Sequence, residues 1–256
     1  MSDAFYVGAI GLQTQQQALE ALADNIANVN TPGFKRSEIR YADVVLRRAA
    51  SEASPALAND PQALAGVMLD SQFMLNEQGE LERTGRSMDL AIQGAGFLEL
   101  MGPAGQTLLW RGGALKVNDD GLLASDKGLA LRAAITIPRD ATSVEIGSDG
   151  VVRATVPDTL EPVELGEIQL VRVDNPASVE RLDGGLYRAG DDVQLAEARP
   201  GEDGAGLLVQ GAIERSNVAL TDEMVRLMMV QRAYAANAQI VQAADQLMGI
   251  ANGLRR

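Results

Sequence analysis

The carboxyl-terminal stretch of the chain carries the clearest structural pattern in the sequence. Residues 217–253 read NVALTDEMVRLMMVQRAYAANAQIVQAADQLMGIANG. Apolar side chains recur every seven residues along this stretch, at Leu220, Leu227, Tyr234, Val241 and Met248, with Met224 filling an alternate turn. Such spacing predicts one long amphipathic helix. Asn217 or Thr221 is suited to cap its start, and Gly253 is suited to end it.

The amino-terminal stretch repeats the same pattern over a shorter length. Phe5, Leu12, Leu19 and Ile26 are spaced seven residues apart, and glutamines between them leave the other face polar. The spacing predicts a second amphipathic helix. We expect this helix to end near Asn28, because Pro32 disfavours helical geometry in the residue before it.

The middle of the chain has a different composition from the two ends. Residues 51–210 carry a net charge of −14, whereas residues 1–50 are neutral and residues 211–256 carry +1. Most of the proline and glycine also lies in the middle, where short apolar runs alternate with turn signals such as Asp120-Gly121 and Asp149-Gly150. This alternation predicts a β-rich domain, mostly antiparallel because no long helical pattern separates the strands.

These patterns together predict an α+β protein. Residues 1–30 and 213–256 are expected to form paired terminal helices in a coiled-coil-like bundle, and residues 71–212 a β-rich domain. Residues 31–70 have weak periodicity and are expected to be a linker or extended arm. A narrow apolar stripe must be buried against something. The helices either pair only with each other, or pair and also pack against other copies of the chain; the pattern leaves both open.

Composition excludes several classes of function. The chain has 256 residues, a net charge of −13 and neither Cys nor His. Disulfides, Cys-His or Ser-His-Asp nucleophiles and ordinary zinc sites are therefore impossible. The acidic balance argues against nucleic acid as a partner. We expect no catalytic residue, no metal site and no cofactor, and the sequence shows neither a signal peptide nor an apolar run long enough to cross a membrane.

Several short motifs carry a resemblance to a known family. The segment from Asn25 to Lys35 reads NIANVNTPGFK, the segment from Asp89 to Phe97 reads DLAIQGAGF, and the segment from Gly211 to Val218 reads GAIERSNV. Further matches are QRAY at 231–234 and DQLM at 245–248. In this order the motifs resemble the flagellar basal-body rod and hook protein family. The motif residues singled out are Asn25, Asn28, Asn30, Gly33, Phe34, Gly94, Gly96, Phe97, Ser216, Asn217, Gln231 and Arg232.

The resemblance implies a function and a set of partners. Members of this family are axial structural proteins of the bacterial flagellum, with paired terminal helices lining an inner tube and the β-rich middle facing outward. It implies that the chain is exported unprocessed by the flagellar export apparatus to the periplasm-spanning rod. The implied partners are further copies in a helical homopolymer, proximal rod proteins, the hook protein or a hook-side adaptor, and the surrounding peptidoglycan-layer and outer-membrane rings of a Gram-negative cell.

The resemblance is strongest to the subunits of the distal part of the rod. Subunits of the proximal rod are the alternative within the family, and the hook subunit needs more outer domain than 256 residues allow. Two alternatives come from other classes of protein. One is a β-rich binding module with a helical dimerisation handle. The other is a hydrolase with paired carboxylates, which requires two such groups in one cleft.

Some motif residues have more than one interpretation. The three asparagines Asn25, Asn28 and Asn30 fit helix termination better than a fixed bend with subunit contacts. Phe34 either packs against its own chain or plugs into a neighbouring subunit, and the second is slightly favoured because an exposed aromatic residue needs cover. Gly94 and Gly96 suit a β-turn rather than a phosphate-binding loop.

The predicted subunit interface lies on the helical ends. Its residues are Phe5, Leu12, Leu19, Ile26, Leu220, Met224, Leu227, Tyr234, Val241 and Met248. For Tyr234 the alternative is burial against the chain's own first helix near Leu19. Met224, Met228 and Met229 are interpreted as helix-packing residues rather than as a promiscuous binding face.

Overall fold

The computed structural model describes residues 2–43, 67–75, 77–157, 161–173, 179–182, 184–190 and 194–253. The chain divides into two units. Residues 1–27, 37–72 and 219–256 form the helical unit, and residues 28–36 and 73–218 form the β unit. The side chains of Phe5 and Met248, two predicted interface residues, lie outside the described set.

The helical unit is built on two long antiparallel helices, α1 (Ser2–Ala27) and α2 (Leu220–Gly253). They approach closely because small residues of α1 face α2: a Cβ added at Gly8 would lie 2.6 Å from Val241, and one at Gly11 2.8 Å from Asn237. Strands β1 (Ser37–Asp43) and β2 (Val67–Phe73) form a two-stranded sheet. Helix α1 ends at Ala27, one residue before the expected Asn28, and α2 ends at the expected Gly253.

The buried face of α1 is narrower and more polar than the seven-residue pattern indicates. Thr14, Ala18, Leu22 and Asn25 are buried. In contrast, the described residues of the predicted stripe, Leu12, Leu19 and Ile26, are half-buried. The buried face of α1 therefore contains small and polar side chains together with Leu22.

The β unit consists of short strands. They are β3 (Leu81–Arg83), β4 (Asp89–Gln93), β5 (Leu98–Met101), β6 (Thr107–Trp110), β7 (Gly112–Val117), β8 (Leu123–Ser125), β9 (Ser143–Ile146), β10 (Val151–Thr155), β11 (Val163–Glu167), β12 (Leu170–Val173), β13 (Val179–Leu182), β14 (Leu186–Ala189), β15 (Leu195–Ala198), β16 (Leu207–Gln210) and β17 (Ala212–Glu214). Every register described among them is antiparallel, which confirms the predicted β-rich middle.

Two four-stranded sheets organise the core of the β unit, with strand orders β13-β14-β6-β5 and β16-β4-β7-β8. Smaller sheets join β11-β10-β9, β12-β15 and β17-β3. Leu90 and Ile92 of β4 pack with Leu98 and Leu100 of β5 in the larger apolar cluster. A smaller cluster contains Phe97, Leu109 and Tyr187.

The boundaries of the elements differ from expectation in two places. Ile213 and Glu214, expected at the start of the second terminal helix, end β17 and pair with Glu82 and Leu81 of β3. In the expected arm, β1 and β2 are regular strands, and residues 44–66 lie outside the described part of the chain. Within the described residues, no helix has the length and apolar character needed to cross a membrane.

Candidate functional site

Motif segments distant in the sequence meet around one buried carboxylate of the β unit, that of Glu214. Its Oε1 lies 2.6 Å from Lys35 Nζ, and its Oε2 lies 2.9 Å from Arg111 Nη2. The side chains of all three residues are no more than 2% exposed. The backbone N–H of Gly79 donates a further hydrogen bond of 2.9 Å to Glu214 Oε1. We call Lys35, Arg111 and Glu214 the ion cluster.

The guanidinium of Arg111 also holds the turn that joins β4 to β5. It donates hydrogen bonds to the carbonyl oxygens of Gly94 and Gly96, the first over 2.9 Å. Both glycines have φ above +110°, a conformation that favours glycine. Carbonyl oxygens directed at a cation are unsuited to a phosphate, so this segment acts as a structural turn.

The ion cluster contains two cations and one carboxylate. Burial lowers the pKa of Lys35 below its ordinary value, the neighbouring Arg111 lowers it further, and Glu214 acts in the opposite direction. Lys35 Nζ also donates a 2.6 Å hydrogen bond to the carbonyl oxygen of Glu77. Because buried charges need counter-charges, Glu214 is the carboxylate that both cations share.

Tyr187 connects the ion cluster to the smaller apolar cluster. Its hydroxyl accepts a 3.0 Å hydrogen bond from the backbone N–H of Lys35 and donates one of 3.2 Å to the carbonyl oxygen of Gly33. Its ring contacts Phe97 edge to face, with centroids 5.7 Å apart. The central motif residue Phe97 and the amino-terminal motif are thus joined through Tyr187.

Replacement of Tyr187 by phenylalanine is expected to reduce the alkaline sensitivity of the β unit. Burial raises the pKa of the Tyr187 hydroxyl above its ordinary value of about 10. The unfolded tyrosine therefore ionises first, and the stability that Tyr187 contributes is present below pH 10 and is lost as pH rises above it.

Denaturant titrations between pH 8 and pH 11 measure this effect. At pH 8 the Tyr187→Phe variant is less stable by about 1–3 kcal/mol, because two hydrogen-bonding groups lose their partner. We expect that difference to shrink above pH 10, because only the unmodified protein loses the contribution of Tyr187 there. The pH dependence that Lys35 adds is common to both proteins. A difference that stays constant to pH 11 contradicts the assignment.

Phe34 is buried in its own chain, so the favoured interpretation of this residue as a plug into a neighbouring subunit is wrong. Its side chain is 2% exposed. The guanidinium of Arg181 lies 4.6 Å from the Phe34 ring and 5.0 Å from the Phe73 ring, which gives the aromatic residue the cover it needs within the β unit.

The asparagines of the motifs fix backbone segments. In the β unit, Asn217 Oδ1 accepts a 2.7 Å hydrogen bond from the N–H of Arg36. In the helical unit, the buried side chain of Asn25 makes two hydrogen bonds with the backbone of Ser37. It accepts one of 2.8 Å from the N–H of Ser37 and donates one of 2.9 Å to the carbonyl oxygen of Ser37. Asn25 therefore fixes the start of β1 instead of ending α1.

The remaining singled-out polar residues are near the ends of elements or on the surface. Asn28 accepts a hydrogen bond from the Thr31 hydroxyl in the turn after α1. Ser216 Oγ accepts one from the N–H of Val218 over 3.4 Å. Asn30, Gln231 and Arg232 are exposed, the last two on α2.

A second candidate site is the apolar surface of α2. Of the thirteen exposed large hydrophobic side chains described, nine lie on this helix, each between 42% and 63% exposed. They are Leu220, Met224, Val225, Met228, Met229, Tyr234, Ile240, Leu247 and Ile250. We call them the α2 apolar surface. Their density on one element is typical of an interaction surface.

Three predicted interface residues, Leu220, Met224 and Tyr234, belong to the α2 apolar surface, whereas Leu227 and Val241 are half-buried. Tyr234 is 42% exposed, so it is not buried against α1 near Leu19. The methionines Met224, Met228 and Met229, interpreted as packing residues, do not pack within the single chain, where each is more than half exposed.

The β unit also has a cleft lined with carboxylates, as the hydrolase alternative requires. Its volume is about 310 Å³, and Glu99, Glu167 and Glu197 line it. Arg132 Nε lies 3.3 Å from Glu99 Oε2. Burial raises the pKa of Glu99, Arg132 opposes that rise, and Glu197 adds to it. Glu167 is paired with Arg199 over 3.1 Å, so two of the three carboxylates are held in ion pairs.

The described residues combine two long terminal helices, the second with an exposed apolar surface, and a β unit in which distant motif residues meet. This combination favours a structural protein. Three family models match the chain: the flagella basal body rod protein at residues 5–35, the D1 domain of the flagellar hook protein FlgE/F/G at 91–154, and the C-terminal domain of the flagellar basal body rod FlgEFG protein at 209–254.

Whole-length relatives agree with these matches. The flagellar basal-body rod protein FlgG of Caulobacter vibrioides is 34% identical over 98% of this chain and 99% of its own. FlgG of Borreliella burgdorferi is 32% identical over the full length of both chains. FlgF of Caulobacter vibrioides is 30% identical over 96% of this chain and 95% of its own. The chain belongs to the flagellar basal-body rod protein family, a family of structural proteins and not of enzymes.

The ion cluster is the feature that sequence reasoning missed. Lys35 and Glu214 lie inside the quoted motifs but are not among the motif residues singled out there, and Arg111 lies outside the quoted motifs. Charged side chains are usually solvated, so sequence alone favours exposure. The one indication in the sequence was that Lys35 and Glu214 lie within three residues of motif positions such as Gly33 and Asn217.

Proposed function

We propose that this chain is a structural subunit of the distal part of the bacterial flagellar rod, where it assembles into a helical tube that transmits torque from the motor to the hook. The observation that carries the proposal is the α2 apolar surface. It presents nine half-exposed apolar side chains that other copies can cover. The 34% identity to a FlgG protein supports the distal position, while the 30% identity to a FlgF protein keeps a proximal position as the second candidate.

In the proposed assembly, α1 and α2 form a coiled-coil-like pair in the inner wall of the tube, and the β unit faces outward. The inner part would comprise the helices within residues 1–27 and 219–256, and the outer part the β unit, residues 28–36 and 73–218. The close approach of Gly8 to Val241 supports the helix pair. The charge of −14 over residues 51–210 suits an outer layer, because acidic surfaces crowded at the tube axis would repel.

The proposed partners follow from the place in the rod. They are further copies of the chain, proximal rod subunits, the hook protein or a hook-side adaptor, the surrounding rings of a Gram-negative cell, and the flagellar export apparatus. Assembly through helical ends needs contacts that do not close on themselves, since such contacts produce filaments.

Electron microscopy and sedimentation of the purified chain over a wide concentration range test the proposal. We expect a monomer in dilute solution and open filaments above a critical concentration. A closed dimer that does not grow at any concentration would instead support a binding module with a helical dimerisation handle, and would contradict the rod subunit.

A further inference from the structure

We propose that Glu214 makes the docking of the amino-terminal motif, residues 28–36, conditional on the docking of the carboxyl-terminal motif, residues 211–217. In this arrangement residues 28–36 dock on the β unit only once residues 211–217 are in place. The device is electrostatic and lies wholly within the β unit, so it does not depend on assembly of the rod.

Four hydrogen bonds join residues 33–36 of the amino-terminal motif to Glu214 and Asn217 of the carboxyl-terminal motif. The N–H of Gly33 donates a 2.8 Å hydrogen bond to the carbonyl oxygen of Glu214, and Lys35 Nζ donates to the carboxylate of the same residue over 2.6 Å. The N–H of Arg36 binds Asn217 Oδ1, and the N–H of Asn217 binds the carbonyl oxygen of Phe34. These four bonds are absent until residues 214–217 are in place, whereas the bonds to Tyr187, Glu77 and Arg181 do not need the carboxyl-terminal motif.

Arg111 has hydrogen-bond partners outside both motif ends, in addition to its contacts with Glu214. It lies between β6 and β7 and donates hydrogen bonds to the carbonyl oxygens of Gly94 and Gly96, which belong to the same continuous part of the β unit. Its side chain is 2% exposed and carries a positive charge. A lysine brought beside it would be a second buried cation.

Glu214 removes that repulsion. One carboxylate oxygen binds Lys35 and the other binds Arg111, so the carboxylate bridges the two cations. Without it, Lys35 would have to be buried next to Arg111 with no counter-charge, and removing one partner of a buried ion pair is strongly unfavourable. The same residue anchors the carboxyl-terminal motif, because Glu214 pairs with Leu81 across β17 and β3.

Hydrogen exchange of the full-length chain below its critical concentration tests the proposal, with Glu214→Gln as the first variant. We expect the amides of Lys35 and Arg36 to exchange about 100-fold faster or more, while amides in β4 and β6 keep their protection. Glu77→Gln is the matched control: it neutralises a carboxylate that pairs with Arg36 but is 51% exposed, and it should change exchange little.

A second substitution separates charge repulsion from the loss of hydrogen bonds. In the Glu214→Gln background, Lys35→Met removes one of the two buried cations, so the proposal predicts slower exchange at Arg36 than in Glu214→Gln alone. If Glu214→Gln unfolds the whole β unit, the double variant must have the higher melting temperature of the two. Additive losses in the double variant, or normal protection of residues 33–36 in Glu214→Gln, would overturn the proposal.

Discussion

Replacement of both Ile240 and Leu247 by glutamine is expected to abolish assembly at concentrations where the unmodified chain forms filaments. The two side chains lie two turns apart on α2 and are 54% and 59% exposed. Burying a whole aliphatic side chain contributes about 1.5–3 kcal/mol. Because roughly half of each is already covered in the single chain, the pair contributes about 2–3 kcal/mol per contact, or roughly 30- to 150-fold in the association constant.

The monomer should be unaffected, since glutamine is a good helix former and both positions are exposed. Far-ultraviolet circular dichroism of the dilute protein checks the helices, and the critical concentration from sedimentation measures assembly. The control is Gln239→Ala with Gln246→Ala, which has the same spacing on the neighbouring, exposed positions of α2. If the glutamine variant assembles at the same concentration as the unmodified chain, the α2 apolar surface is not the contact.

The substitution Gly79→Ala is expected to destabilise the β unit strongly. A Cβ at this position would lie 1.9 Å from the carbonyl oxygen of Arg215, a backbone atom that cannot rotate away. To relieve the clash, residue 79 must move away from Glu214. The buried carboxylate of Glu214 then loses the 2.9 Å hydrogen bond from the N–H of residue 79. We expect the free energy of unfolding to fall by about 3 kcal/mol, the upper part of the range for overpacking.

Urea denaturation followed by the fluorescence of Trp110, a buried residue of β6, measures this loss. Gly85→Ala is the control, because nothing lies within 4 Å of its added Cβ and only the positive φ of +71° is strained. That strain should cost about 1–2 kcal/mol. Equal losses for the two variants would show that the approach of Gly79 to Arg215 has no special role.

The long elements of the fold follow from local patterns in the sequence. The seven-residue spacing of apolar residues predicts both helices, and Pro32 explains why α1 ends before it. The alternation of short apolar runs with glycine turns predicts the antiparallel β unit. These patterns involve residues close together in the sequence, so they can be recognised without knowledge of the tertiary structure.

Other features depend on which distant residues meet. The close face of α1 contains Thr14, Ala18 and Asn25, which no apolar pattern selects. Phe34 was expected at a neighbouring subunit because sequence does not reveal that Arg181 and Phe73 cover it. The ion cluster joins positions 35, 111 and 214, and its burial is a property of the folded β unit alone.

In the proposed rod, other copies of the chain cover the α2 apolar surface. Because the chain contains no Cys, the Ile240→Cys variant carries a single thiol for maleimide labelling. Asp126→Cys, at an exposed turn of the β unit, reports the labelling reaction itself. We expect the thiol of the Ile240→Cys variant to be labelled rapidly in dilute monomer and to be protected in assembled filaments. Equal labelling of position 240 in both states would contradict this expectation.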